Sequence, residues 1–406
     1  MEKIKSILWI VPAWPFPPEN GASVARANLI KNLALAGYNI DILVIGNVTN
    51  DKFEMPHDIS LGQVYKIKTN DVENPLFRKC YFILMSLFSY QIPVVMLRFS
   101  KQKIRSQVNE IIVKNYNNWD AVVYDGLHPA AHRMRLGLYS RMSNIKKIIY
   151  REHNIESEIW FRMAEKQKNP LKKLFLTYQA KLIAQFEKSV IREADGVAAI
   201  SNDDLGKLKQ LETNTKISVV PISFDFIKPL EFPKLTEKIQ ILFLGSLDWP
   251  PNKDGLIWFL TKVWKKVMKA RNDIYLSIAG SGKSDWVKSY TRIPNVCFLG
   301  KVREIESLYE QSCLVIAPIF YGSGTRVKII EACNYGRPCI STTIGAEGIG
   351  LVNQKSYYCA DNVEDWVDCL TNIQLDTLQV MGEQAFQNAK QFFAHTVAVE
   401  EFIKLL

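Results

Sequence analysis

Residues 313–342 constrain this chain more than any other stretch. The apolar run 313–319 reads as a buried strand, being short, rich in branched side chains and followed by turn residues. Gly322 and Gly324 come next, on either side of Ser323, and glycines there free the backbone to approach a ligand closely. A helix is predicted to begin near Thr325, where free N–H groups and the positive dipole end suit an anion. Arg326 and Lys328 add formal charge at the same place, and Glu331 lies about one turn beyond Lys328. A carboxylate so placed can accept hydrogen bonds from the two hydroxyls of a ribose. Residues 338–342 return as the next strand. Strand, glycine turn, helix and strand describe one βαβ unit whose ligand, a nucleotide diphosphate, would sit at the carboxyl end of a parallel sheet. The plainer alternative, an ordinary helix start with a solvated basic face, accounts for the glycine turn equally well.

Both halves of the chain repeat this alternation. In the first, residues 6–12, 39–45, 121–124, 147–150 and 196–200 read as strands, residues 22–36 and 101–114 as helices, and residues 156–193 as one long helical pattern. A break follows at Val220-Pro221-Ile222-Ser223. The second half starts again with strands at 239–244, 274–279, 296–299, 314–317 and 339–341. Alternating elements imply α/β domains built on doubly wound parallel sheets. At 406 residues the chain is long for one core, so two domains of about 200 residues are expected.

Four ordered motifs, lying between residues 152 and 348, resemble one family. Lys328-Ile329-Ile330-Glu331-Ala332-Cys333-Asn334-Tyr335-Gly336-Arg337-Pro338 is similar to the donor-site signature of the retaining GT-B glycosyltransferases of family four. The usual form of that signature is a glutamate, seven residues, a second glutamate followed by Ala, then Gly-x-Pro. Glu331 matches the second glutamate, whereas Ser323 stands where the first would be. Residues 245–255, 343–348 (Thr343-Ile344-Gly345-Ala346-Glu347-Gly348) and 152–156 (Glu152-His153-Asn154-Ile155-Glu156) supply the other matches. The resemblance implies a GT-B architecture, two Rossmann-like domains facing a cleft. An acceptor-binding domain would take residues 1–221, a nucleotide-sugar domain residues 222–385, and residues 386–406 a helix crossing back to the first domain. It further implies a hexosyltransferase that moves a sugar from a UDP- or GDP-sugar to a glycan, lipid-linked or other hydroxyl acceptor. Retention, front-face attack and a role in cell-surface polysaccharide synthesis go with that reading, as does chemistry without a metal or other cofactor.

Individual residues then take expected places. Lys328, Arg326 and the helix dipole would stabilise the leaving diphosphate, Glu331 the ribose, and Gly324 and Thr325 would line the donor. Gly245 and Ser246 follow a strand, and Lys253 would reach the diphosphate from the facing side. In the first half, Gly21 opens a helix whose N–H groups suit a phosphate or the transferred sugar, and a mere tight turn explains it equally well. Arg26 would meet an acceptor phosphate, with a surface salt bridge as the plainer alternative. By resemblance His153 lies near the transferred sugar, orienting substrates by a hydrogen bond and not necessarily as a general base. Asp125 and His128 follow another strand and would bind or deprotonate an acceptor hydroxyl, or serve only in turns and caps.

Charge adds a partner. Residues 1–220 hold 31 Lys+Arg against 21 Asp+Glu, while residues 221–406 hold 20 of each. The whole excess of +10 sits in the first half, which suits an anionic membrane surface or lipid phosphate, or merely solubility. Nucleic acid is not indicated, since no nucleic-acid motif is present. Residues 81–97 are apolar but contain Ser86, Ser89, Gln91 and Pro93, so they suit a core or interfacial helix better than a spanning one. Seven cysteines without a CxxC pair read as reduced core residues, and the place of the protein is expected to be the cytoplasm, peripheral on the inner face of the membrane. Two alternatives stay open: an inactive nucleotide-sugar-binding partner subunit, which Ser323 favours, and a GT-B sugar-nucleotide epimerase.

Overall fold

The computed structural model describes residues 4–18, 21–46, 55–56, 58–69, 93–99, 102–133, 142, 144–212, 214–233, 238–290, 292–302, 304–322 and 325–406. Most of the apolar segment 81–97, together with Ser323 and Gly324, therefore lies outside the described residues. Two compact units form: the first comprises residues 1–18, 26–221 and 398–406, the second residues 19–25 and 222–397.

The first unit is built on a seven-stranded sheet. Its strands are β1 (Ser6–Val11), β2 (Asn39–Ile45), β3 (Val64–Ile67), β4 (Ala121–Asp125), β5 (Lys147–Arg151), β6 (Gly196–Ala199) and β7 (Ile217–Val219). They lie in the order β3-β2-β1-β4-β5-β6-β7, and every pairing is parallel. Strands buried on both faces need continuous apolar runs, which is how Ile7-Leu8-Trp9-Ile10-Val11 and Ile42-Leu43-Val44-Ile45 read. Successive side chains enter opposite cores: Leu8 and Ile10 join a cluster with Trp119, Tyr124 and Ile183, while Ile7, Trp9 and Val11 join Leu29, Val123 and Phe402. Phe402, on the helix His395–Ile403, stacks on Trp9 with ring centroids 5.2 Å apart.

The second unit repeats the plan with β8 (Ile239–Leu244), β9 (Ile274–Ala279), β10 (Val296–Gly300), β11 (Leu314–Ala317), β12 (Cys339–Ser341) and β13 (Tyr358–Cys359). Its order is β10-β9-β8-β11-β12-β13, again all parallel. In both sheets the strand order reverses beside the first strand, between β1 and β4 and between β8 and β11. Connections leave in opposite directions there, which opens a crevice at the strands' carboxyl ends.

Two sequence expectations change in detail, and three short strands are added. The pattern 156–193 is two helices, Glu156–Lys166 and Pro170–Glu193. Pro170 has no N–H to continue the first, and the Asn169 side chain accepts from the backbone N–H groups of Leu171 and Lys172, capping the second. The helix expected from Thr325 begins at Val327, because Arg326 takes an extended ψ of 89° as N-cap. Strands β3, β7 and β13, of four, three and two residues, are too short to show a period in the sequence.

Candidate functional site

In the second unit the crevice between β8 and β11 gathers a cationic group. Gly245 follows β8, and a Cβ there would lie 2.9 Å from Lys328 Nζ and 2.8 Å from Asn252 Nδ2. The missing side chain is what lets the lysine reach this point. Lys328 stands in the first turn of the helix Val327–Asn334 and donates to Asn252 Oδ1 at 2.7 Å, its ammonium 4.5 Å from the centre of the Phe243 ring. Asn252 in turn donates to the Ser246 carbonyl at 2.9 Å. Among the described residues no carboxylate pairs with Lys328. Burial, with help from Arg326, lowers its pKa to about 7.

The neighbouring residues extend this cationic cluster. Arg326 is only 5% exposed and its guanidinium lies over the Trp249 ring, 5.8 Å from its centre. Gly322 holds a φ of +121°, and a Cβ there would come within 3.3 Å of Arg326 Nη2. Among the described residues no side chain caps the helix start, which leaves its first N–H groups available to a ligand, and Thr325 Oγ1 is buried without a partner there.

One turn along, Glu331 accepts a hydrogen bond from Tyr309 Oη at 3.0 Å, and burial raises its pKa to about 7. Tyr309 stacks on Tyr335, centroids 4.5 Å apart, and Arg337 Nε fixes its carbonyl at 2.8 Å. Sequence reading missed Tyr309 and Asn252. Tyr309 lies 22 residues before Glu331 on another helix and carries no local signal, whereas Asn252 sits inside the motif 245–255 and was passed over for the charged Lys253. Lys253 itself directs its amine at the Trp286 ring, 5.5 Å from the centre, and Ser246 Oγ donates to Asp248 at 2.6 Å.

The first unit carries a second constellation at the β1/β4 switch. Asp125, the last residue of β4, is fully buried. Its Oδ2 accepts from Trp9 Nε1 at 2.6 Å and lies 3.3 Å from Arg151 Nη1, while Oδ1 lies 3.3 Å from Arg26 Nε and against His153 Nε2. Burial favours the protonated acid, but Arg26, His153 and Arg151 outweigh it and hold Asp125 well below the usual carboxylate range. Burial, aided by Arg151 and Arg26, lowers His153 to about 4 despite the opposing pull of Asp125. The ring is therefore neutral at physiological pH, and its Nε2 faces both the Asp125 carboxylate and Arg151 Nη1, the latter at 3.1 Å. Two arginines against one carboxylate leave a positive excess in a buried place.

Thus Arg26, Asp125 and His153 form one network, with Arg151 as the member that sequence reading missed. His128 stands on the short helix Leu127–Ala130, half-buried. Gly21 begins the helix Gly21–Leu35. Beneath the loop, Glu152 accepts from Tyr150 Oη and from the Asn154 N–H at 3.2 Å, and burial together with Glu187 raises its pKa well above normal. Among the described residues no group of three or more His, Cys, Asp or Glu is placed to hold a metal ion, and no helix is long and apolar enough to cross a membrane.

Comparison with known proteins bears on the fold. Residues 238–376 match the family Glycosyl transferases group 1. An "uncharacterized 44.6 kDa protein in cps region" of Klebsiella pneumoniae is 24% identical over 361 residues, 86% of this chain and 85% of that protein. Among solved structures, sucrose-phosphate synthase from Thermosynechococcus elongatus superposes with a TM-score of 0.70 at 15% identity, covering 99% of this chain and 98% of that one. Anabaena HepE in complex with UDP and glucose gives 0.66 at 13% identity, covering 99% and 98%. A mutant of S. aureus TarM in complex with fondaparinux, α-GlcNAc-glycerol and UDP gives 0.65 at 12% identity, covering 99% of each chain. The architecture is that of the GT-B glycosyltransferases.

Proposed function

From a glycosyl transferases group 1 domain set in a GT-B fold, we infer that the chain transfers a hexosyl group from a nucleotide diphosphate sugar to a hydroxyl acceptor, with retention. The observation that carries this is Lys328: a half-buried ammonium at the carboxyl end of β8, admitted by the bare Gly245 and held, among the described residues, by a neutral amide and the Phe243 ring. Such a cation has lost water without gaining a counter-ion, and a diphosphate supplies one. UDP is the nucleotide we propose, since HepE and TarM are described in complex with it.

Each residue then has a task. Lys328, Arg326 and the uncapped N–H groups meet the leaving diphosphate, whose charge grows as the glycosidic bond breaks. Thr325 lines it, with Gly324 next to it in the sequence, while Gly245 and Ser246 give backbone room. Glu331 exchanges the Tyr309 hydroxyl for the ribose hydroxyls. His153, neutral and tied to Asp125, orients the sugar by a hydrogen bond and does not act as a base. Arg26 and the excess charge around Asp125 suit an acceptor phosphate, with His128 nearby, and Gly21 opens a helix toward the donor sugar. The acceptor we propose is a lipid-linked or other growing glycan of a cell-surface polysaccharide, in line with the cps-region relative, used at the cytoplasmic face of the membrane.

Thermal unfolding with UDP, GDP and their sugars tests the reading. A ligand at a hundred times its dissociation constant should add about 2.7 kcal/mol of stability, and a stabilising UDP-sugar should be hydrolysed or transferred slowly. No shift with any nucleotide sugar would overturn the assignment, and binding without any turnover would favour a nucleotide-sugar-binding subunit, the reading to which Ser323 points.

A further inference from the structure

The helix Pro170–Glu193 begins in an unusual way. Its fully buried residues run from Gln179 to Ile191, so its first nine residues, roughly 13 Å of helix, project from the core. The partner helix Glu156–Lys166 packs against it and buries only Ser157 and Ala164. At the tip Leu171 is 78% exposed and Leu174 69%, three residues apart and so on one face. Around them stand the exposed Lys166, Lys168, Lys172 and Lys173, with Glu165 as the one acidic residue between 165 and 174. The tip is also stiff, because the Asn169 side chain accepts from two backbone N–H groups at 3.1 Å and Pro170 fixes the first turn.

We propose that this hairpin tip is a docking element for an anionic bilayer surface, Leu171 and Leu174 entering the headgroup boundary while Lys168, Lys172 and Lys173 meet lipid phosphates. Chemistry selects this occupant. Apolar side chains ringed by ammonium groups match the layering of an interface, where the acyl boundary lies a few ångströms beneath negative charge. A convex tip of two turns is too small for the several hundred Å² per partner that a stable protein contact needs, yet a bilayer takes it readily. The tip also lies within the residues that carry the whole charge excess of the chain. It gives the surface association proposed above a place, and is independent of the donor site.

The experiment compares sedimentation of the full chain with vesicles of phosphatidylcholine alone and of phosphatidylcholine with one quarter phosphatidylglycerol. Wild type should bind the anionic vesicles at low salt and weaken as salt rises. Each lysine near an anionic surface is worth about fivefold, so Lys168→Glu/Lys172→Glu/Lys173→Glu should reduce binding by about a hundredfold or more. Leu171→Ser/Leu174→Ser should remove the part that survives at high salt, about tenfold. The same charge change placed elsewhere, Lys209→Glu/Lys269→Glu/Lys355→Glu, should matter far less. All variants should keep the wild-type melting shift with a UDP-sugar, which shows that they fold. Failure of wild type to bind, or tip variants that bind as well as wild type, would overturn the proposal. So would tip variants that change only the oligomeric state in size-exclusion chromatography. Loss of the nucleotide shift in every protein would instead count against the proposed function and leave the vesicle result standing.

Discussion

The two units share one plan but treat buried charge in opposite ways. Around β4 the first unit closes its own circuit: Asp125 is held by Trp9, Arg26, Arg151 and His153. Around β8 the second unit leaves its circuit open, with Lys328 held by an amide and an aromatic face. A closed circuit serves the apo protein's stability, and an open one costs stability until a ligand completes it. The same sheet topology therefore yields a closed ionic network in one place and a cation without a carboxylate partner among the described residues in the other.

The largest effect should come from cutting the closed circuit. Asp125→Ala strands two buried guanidinium groups and should destabilise the fold by roughly 3–5 kcal/mol, read as a lower urea midpoint with unchanged slope. An unchanged midpoint would mean that the arginines find other partners and the contrast between the units dissolves.

Next comes the open circuit. Lys328→Met should leave the apo protein as stable as wild type or more so, yet lower turnover about 10²–10³-fold at saturating donor. A fall in stability comparable with that of Asp125→Ala would show Lys328 to be structural.

Glu331→Ala should weaken UDP-sugar binding by roughly 1–3 kcal/mol in calorimetry. An affinity equal to wild type would remove the ribose from Glu331 and leave Tyr309 as its natural partner.

The smallest effect is in pH. Burial lowers Lys328 to about 7 and raises Glu331 to about 7. Diphosphate binding requires the ammonium, so affinity should fall above pH 7, at most tenfold per unit. Ribose binding is better to the carboxylate, so affinity should also fall below pH 7. The result is a bell centred near neutrality for a UDP-sugar, which itself does not titrate there. Lys328→Arg should flatten the alkaline limb and Glu331→Gln the acid limb, while the closed circuit, with His153 at about 4 and Asp125 lower still, stays silent across that range.

How legible was this in the sequence? The sheets were, because parallel strands buried on both faces must be written as unbroken apolar runs such as Ile7 to Val11. Lys328 and Glu331 were, because helix periodicity alone puts them a turn apart beside the glycines. Asn252, Tyr309 and Arg151 were not singled out. Their parts come from contacts spanning 76, 22 and 26 residues, and neither an amide, a tyrosine nor an arginine at a strand end stands out locally. The split at Pro170 was visible as a proline but was overridden by the apolar period on either side of it.

The stacking of Phe402 on Trp9 sets a schedule for the growing chain. The first unit's sheet can pair its strands once residue 221 has emerged, but one of its faces still lacks Ala398, Phe402 and Leu405. Residues 222–397 must be made first, and at 5–20 residues per second that takes roughly 10–35 s. Through that interval the ribosome-bound chain shows an apolar face that the finished molecule hides, while the second unit has time to fold. Truncation just before residue 398 would make that transient surface permanent.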